Sequence, residues 1–274
     1  MPIHCPIKIA SLSADEFAAV DYKVMGHAYA CHNDLGWLCD ERIYEADLKN
    51  RLLADGFKRV YTQVPVTVSH QSFSKTYNLD LIVEDALYEL KATARLVGEN
   101  DAQIFNYMLL LGLGRGKLLN FRPAKVEGLI RATSLSQADR RNFNLITNGW
   151  RGLTPACDVL RQTLVGLLAD WGAFLDVALY QEALTHLLGG ANVIEQRIPL
   201  TRDGASLGTQ RFTVHAPGVA FRLTAFTEDQ PGIENQMRHL LALTNLRAIQ
   251  WVNLNHARIE LKTLIRSEAW RSGE

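Results

Sequence analysis

Three residues in the first third of the chain could do hydrolytic chemistry together. They are Asp80, Glu89 and Lys91, in the stretch Tyr-Asn-Leu-Asp-Leu-Ile-Val-Glu-Asp-Ala-Leu-Tyr-Glu-Leu-Lys from Tyr77 to Lys91. Carboxylates are hard oxygen ligands that suit Mg²⁺ or Mn²⁺, which bind through one or two such groups and leave positions for water and phosphate oxygens. An ammonium beside them can orient a water or neutralise charge developing on a phosphate. The bland alternatives are solvated acids and a cross-strand ion pair. The spacing predicts how the three would meet. Two β-prone runs, Leu79 to Val83 and Ala86 to Leu90, are joined at Glu84-Asp85, which predicts a hairpin. Side chains alternate along a strand, so Glu89 and Lys91 leave one face, and Asp80 on the neighbouring strand can reach the same spot.

The flanking elements must hold that hairpin. Ser13 with Glu16 three residues later predicts a capped helix running to about His32. Leu35-Gly36 breaks it, and a second helix from Asp40 to Ala54 carries Glu41 and Tyr44 on one face. Val60 to Val68 reads as a strand whose Pro65 implies an edge or a bulge. After the hairpin, Ala102 to Leu113 is a mostly apolar helix with Gln103 and Tyr107 stacked one turn apart. Lys117 to Phe121 and Val126 to Ala132 complete an α/β layer unit.

The order Glu41-x-x-Tyr44, Asp80, Glu89-x-Lys91, Gln103-x-x-x-Tyr107 resembles the PD-(D/E)XK nuclease superfamily, specifically its GxxExxY branch, over roughly residues 20 to 132. Leu35-Gly36, Gln63-Val64-Pro65 and Leu119-Asn120-Phe121 also look like that branch. Leu38 stands where the branch name puts glycine. The resemblance implies a restriction-endonuclease-like mixed sheet flanked by helices, and a metal-dependent nuclease using Mg²⁺ or Mn²⁺. It implies Asp80, Glu89 and Glu41 as metal ligands, Lys91 as the assisting cation, and Gln103 and Tyr107 on a RecB-like helix facing the site. Glu41 reads equally well as an exposed helix acid, and Tyr44 reads better as core. Some relatives place a metal-binding histidine near His27 and His32, though lone helix histidines are more often packed or on the surface.

The second half resembles the first. Trp171-Gly172 falls at Leu35-Gly36, Tyr180 at Tyr44 and Ile198-Pro199 at Val64-Pro65; Gln236 then falls on Gln103 and Asn253 on Asn120 at a constant offset. This register predicts an internal duplication. The chemistry is lost in it, with His215 set against Asp80, Arg222 against Glu89, Thr224 against Lys91 and Val177 against Glu41. The expected organisation is a catalytic domain over 1–132, a connection over 133–160 and a degenerate nuclease-like repeat over 161–274. The two copies would pair as an intramolecular pseudo-dimer, with room for further self-association, and Arg211, Arg222, Arg238 and Arg258 would supply a basic patch.

Composition bounds the partners. With 29 basic and 29 acidic residues the chain carries no net charge, so nucleic acid must be held by a local patch rather than by a global field. Four cysteines without knuckle or disulfide spacing fit a reduced, cytoplasmic setting, and no apolar run is long enough to span a bilayer. The reading is hydrolysis of nucleic acid, DNA favoured over RNA, against a non-catalytic nucleic-acid-binding or regulatory protein on the same fold.

Overall fold

The capping box at Ser13 starts the first helix. The Ser13 hydroxyl accepts from Glu16 N, and the Glu16 carboxylate accepts from Ser13 N at 2.8 Å. In the computed structural model, which describes residues 2–266, the chain divides into two compact units, Met1–Ser69 with Ser74–Ala138, and His70–Phe73 with Asp139–Glu274. Among the described residues no helix is long and apolar enough to cross a membrane.

The first unit comprises β1 (Ile3–His4), α1 (Ala14–Leu35), α2 (Glu41–Ala54), β2 (Val60–His70), β3 (Phe73–Val83), β4 (Ala86–Lys91), α3 (Gly98–Leu111), β5 (Arg115–Asn120) and β6 (Glu127–Ala132). Its six strands form one mixed sheet in sequence order, with β3 antiparallel to β4 and β4 parallel to β5. The hairpin falls where the sequence places it. Glu84 and Asp85 both take positive φ, 44° and 74°, as a two-residue turn between twisted strands requires. Neither turn acid is available for chemistry. Glu84 accepts from Lys58 N and Arg59 N, and Asp85 pairs with Arg59 at 2.6 Å.

Alternation then sorts the sheet's two faces. Leu81, Val83, Tyr88 and Leu90 pack in one cluster with Phe17, Val24 and Ala28 of α1 and Tyr44, Leu48 and Leu52 of α2. Their sequence neighbours Asp80, Glu89 and Lys91 therefore leave the opposite face. On β5, a Cβ at Gly116 would lie 3.1 Å from Ile104 of α3, so the missing side chain lets that helix approach the sheet. Tyr44 is core: fully buried, it stacks on Phe121 and its hydroxyl donates to Gly36 O at 2.8 Å.

The second unit comprises α4 (Gln137–Arg141), β7 (Asn144–Gly149), α5 (Pro155–Trp171), α6 (Val177–Leu187), α7 (Ala191–Ile194), β8 (Glu195–Arg202), β9 (Ala205–Ala216), β10 (Val219–Thr224), α8 (Gln230–Ala242), β11 (Ala248–Asn255) and β12 (Arg258–Ile265). Its six-stranded sheet runs β7-β12-β11-β10-β9-β8, with a parallel pair at its centre, β10 with β11, and a second parallel pair at its edge, β12 with β7. From α5 to β12 the elements repeat the order helix, helix, three strands, helix, two strands, apart from the one-turn α7. The extra strand sits at opposite ends, β1 beside β2 and β7 beside β12.

Several local contacts repeat as well. The Asn120 amide accepts from Thr93 N and donates to Thr93 O, and Asn253 does the same for Phe226. The Tyr180 hydroxyl donates to Gly172 O as Tyr44 does to Gly36 O. One correspondence read from the sequence needs correction. The β9–β10 ladder shifts at a bulge beside Val219/Ala220 and then pairs Phe221 with Thr213. Continued one residue, it sets Phe212 rather than His215 opposite Arg222, because an extra residue at a bulge moves every later partner by one.

Candidate active site

The β3–β4 ladder pairs Val83 with Ala86, Ile82 with Leu87 and Leu81 with Tyr88. One step further Asp80 comes level with Glu89, and there the side chains take over from the ladder. Asp80 Oδ2 accepts from Leu90 N at 2.9 Å and lies 3.8 Å from Lys91 Nζ. Lys91 Nζ donates to Glu89 Oε1 at 2.6 Å and to Leu90 O at 2.8 Å. All three side chains are buried, Glu89 to 1% exposure. The second carboxylate oxygen, Glu89 Oε2, has no hydrogen-bond partner among the described residues.

Charge is therefore out of balance at this point. Burial and then the neighbouring charge of Asp80 push the Glu89 carboxyl up to about 8, more than Lys91 and its hydrogen bond pull it down. Burial pulls the Lys91 ammonium down, but the charges of Glu89, Asp80 and Glu41 outweigh it and hold the group above its ordinary value. Lys91 is thus a fixed cation at neutral pH and a poor proton acceptor.

Glu41, the first residue of α2, is drawn into the same field. Burial raises its carboxyl, Lys91 opposes the shift, and Asp80 and Glu45 add to it. Glu45, one turn along on the same helix face, is raised by burial and by Asp80 against its hydrogen bond from Gln63. Neither Glu45 nor Gln63 is among the site residues that the sequence singles out. The Gln63 amide nitrogen donates to Glu45 Oε2 at 2.5 Å and to Asp80 Oδ1 at 3.4 Å, which links α2 to the hairpin. It can do so because Gln63 sits at φ 51°, an uncommon conformation for a non-glycine residue, just before Pro65 in β2. A pair of glutamates at i and i+4 was the available signal for Glu45.

The α3 pair is present as a unit. Gln103 Nε2 donates to the Tyr107 hydroxyl at 3.0 Å. Burial raises Tyr107 to about 12, opposed by the Gln103 bond and assisted by the charges of Glu89 and Asp80, which places its phenol in the site's field. The two histidines belong elsewhere. His32 Nε2 bonds to Pro123 O at 2.9 Å, and His27 lies 3.3 Å from Asp55.

The four arginines named for a basic patch, Arg211, Arg222, Arg238 and Arg258, have different surroundings. Arg238 pairs with Glu234 at 2.6 Å, and Arg258 lies 3.9 Å from Glu260. Arg211 and Arg222 line a cavity that neither of the other two touches.

The first unit is thus a mixed α/β sheet with two carboxylates and a lysine at the point where two central strands cease to pair. Residues 18–132 match the family model of the PD-(D/E)XK nuclease superfamily. That span runs from within α1 to the end of β6 and includes each residue of the site. No curated protein and no solved structure matches the chain.

Proposed function

We propose that the first unit is a metal-dependent nuclease of the GxxExxY type that hydrolyses phosphodiester bonds, with DNA as its substrate. The observation that carries the reading is the buried, unpartnered Glu89 Oε2 beside Asp80, within a span that matches a nuclease family. A pair of carboxyls that Lys91 alone does not keep fully ionised, one of them held protonated by burial and by its neighbour, suits a divalent cation that would take the proton's place. Among the described residues no three His, Cys, Asp or Glu side chains converge as ligands. Two carboxylates are what Mg²⁺ or Mn²⁺ requires when water and substrate phosphate complete the shell.

Asp80 and Glu89 would hold the ion, with Glu41 and Glu45 close enough in charge to take a second ion or a bridging water. Bound there, the ion would supply Lewis acidity and an acidified water. The chain's own residues do the rest. Lys91, held protonated, donates to oxygens that gain charge as the phosphodiester is attacked. Gln63 keeps Asp80 and Glu45 in register. Gln103 fixes the Tyr107 hydroxyl near the same field, where it can donate to a substrate phosphate.

We further propose that the second unit is a degenerate copy of the first. The repeated element order, the paired asparagine clamps and the Tyr44/Tyr180 anchors support a common origin. Arg222, Phe212, Thr224, Gln181 and Val177 stand where the first unit has Glu89, Asp80, Lys91, Glu45 and Glu41, a set that repels a divalent cation. Calorimetric titration with Mn²⁺ tests both statements. Binding is expected to disappear in Asp80→Asn and to persist in Arg222→Gln; binding that survives Asp80→Asn would contradict the assignment.

A further inference from the structure

The second unit carries a half-open cavity of about 210 Å³, whose lining includes Gln181 of α6, Arg211, Phe212 and Thr213 of β9, Arg222 of β10 and Leu240 of α8. Its position is not arbitrary. The β9–β10 ladder pairs Thr213 with Phe221 one residue before Arg222, as the β3–β4 ladder pairs Leu81 with Tyr88 one residue before Glu89. Gln181 follows the buried Tyr180 on α6 as Glu45 follows Tyr44 on α2. The cavity is therefore the counterpart of the carboxylate site, with the sign of its charge reversed. None of its lining residues is acidic. Arg211 lies 3.3 Å from Glu195, while the Arg222 guanidinium has no hydrogen bond or ion pair with any described residue.

We propose that this cavity is a phosphate-binding site, with Arg222 as its principal ligand. A guanidinium presents a planar fork of donors that matches two phosphate oxygens at once, and it stays charged at any relevant pH. The Gln181 amide nitrogen of α6 makes two long hydrogen bonds, to Thr185 Oγ1 at 3.3 Å and to Thr213 Oγ1 at 3.4 Å, and can turn one of these donors to the phosphate. The apolar wall of Phe212, Leu240 and Ile249 leaves a surface against which a sugar or base can lie, beside the exposed Arg222. The phosphate can come from a nucleic-acid strand or from a free phosphate. Choosing the strand rests on the nuclease reading, whereas the site itself does not.

The test uses the full chain carrying Asp80→Asn without divalent metal, so that nothing is cut. Inorganic phosphate is titrated calorimetrically, and labelled single- and double-stranded oligonucleotides are titrated by fluorescence anisotropy across a salt series. Arg222→Gln is compared with Arg258→Gln, a control on the same unit outside the cavity. Losing one charged phosphate contact is expected to weaken oligonucleotide binding roughly tenfold and to lower the salt slope by about one ion, with Arg258→Gln at the parental level. Arg222-dependent binding of inorganic phosphate but not of oligonucleotide would keep the site and assign it to free phosphate. Parental affinity of Arg222→Gln for both probes, or an equal loss in Arg258→Gln, overturns the proposal. Failure of the nuclease reading would show separately, as absence of metal-dependent cleavage by the unsubstituted chain.

Discussion

Replacing Glu89 by glutamine should abolish metal binding and yet stabilise the metal-free first unit above neutral pH. The carboxyl is 1% exposed, and burial and Asp80 push it from its ordinary 4.5 up to about 8. A group whose folded value lies above its unfolded one contributes stability that is fully present below the unfolded value. That contribution is lost as pH rises through the folded one. Each pH unit over which the fold retains a proton that the unfolded chain releases is worth about 1.4 kcal/mol. Between pH 4.5 and pH 7 the parent should therefore lose on the order of 3 kcal/mol relative to Glu89→Gln, and somewhat more by pH 8. Hydrogen exchange of the β4 amides reports this unit without requiring that both units melt together. Protection of β4 in the metal-free parent should fall across that window, while Glu89→Gln stays nearly level and is the more stable protein at pH 8. Adding Mn²⁺ at about a hundred times its dissociation constant should return roughly 3 kcal/mol to the parent and nothing to the variant. Equal pH slopes in the two metal-free proteins would refute the argument that burial and Asp80 hold Glu89 protonated until a metal binds.

Three further outcomes follow from the same geometry. Lys91→Met removes a fixed cation rather than a base, so cleavage should drop about a hundredfold or more without moving the alkaline side of the pH–rate profile; a profile shifted in that limb would instead make Lys91 a proton acceptor. Gln63→Ala breaks the link between Glu45 and Asp80 and is expected to cost about tenfold in metal affinity, as loss of an outer hydrogen-bond partner does; unchanged affinity would show that the α2 acids are placed without it. In the second unit, burial holds the His215 imidazole down to about 4, with neither ring nitrogen bonded among the described residues. A depressed folded value means that its contribution is present above about pH 6.5 and is lost as pH falls towards 4. Thermal melts should show a shallower acid slope in His215→Phe, and an identical slope would remove His215 from the account.

What the sequence disclosed was what local rules encode. The Ser13–Glu16 box, the Glu84-Asp85 turn and the apolar periods of α1, α2 and α3 are written within a few residues of where they act. Asp80, Glu89 and Lys91 were legible for the same reason, since strand alternation alone puts them on one face. Gln63 was hidden because nothing around it announces a positive φ, and its partners Glu45 and Asp80 lie 18 and 17 residues away. The pairing of β7 with β12, which draws Asn144–Gly149 into the second sheet, joins segments more than a hundred residues apart that carry no signal of each other. His215 was set against Asp80 because a bulge adds a residue that a sequence register cannot see.

The central claim is that Asp80, Glu89 and Lys91 form one metal-dependent phosphodiesterase site. Its most direct measurement is cleavage by the purified full chain of linear, circular, single- and double-stranded DNA, and of RNA, with Mg²⁺ or Mn²⁺ and with chelator, beside Asp80→Asn and Lys91→Met. The account predicts cleavage of DNA that requires the ion and is lost in both variants. No cleavage of any substrate by the parent chain, or cleavage that survives Asp80→Asn, would contradict it.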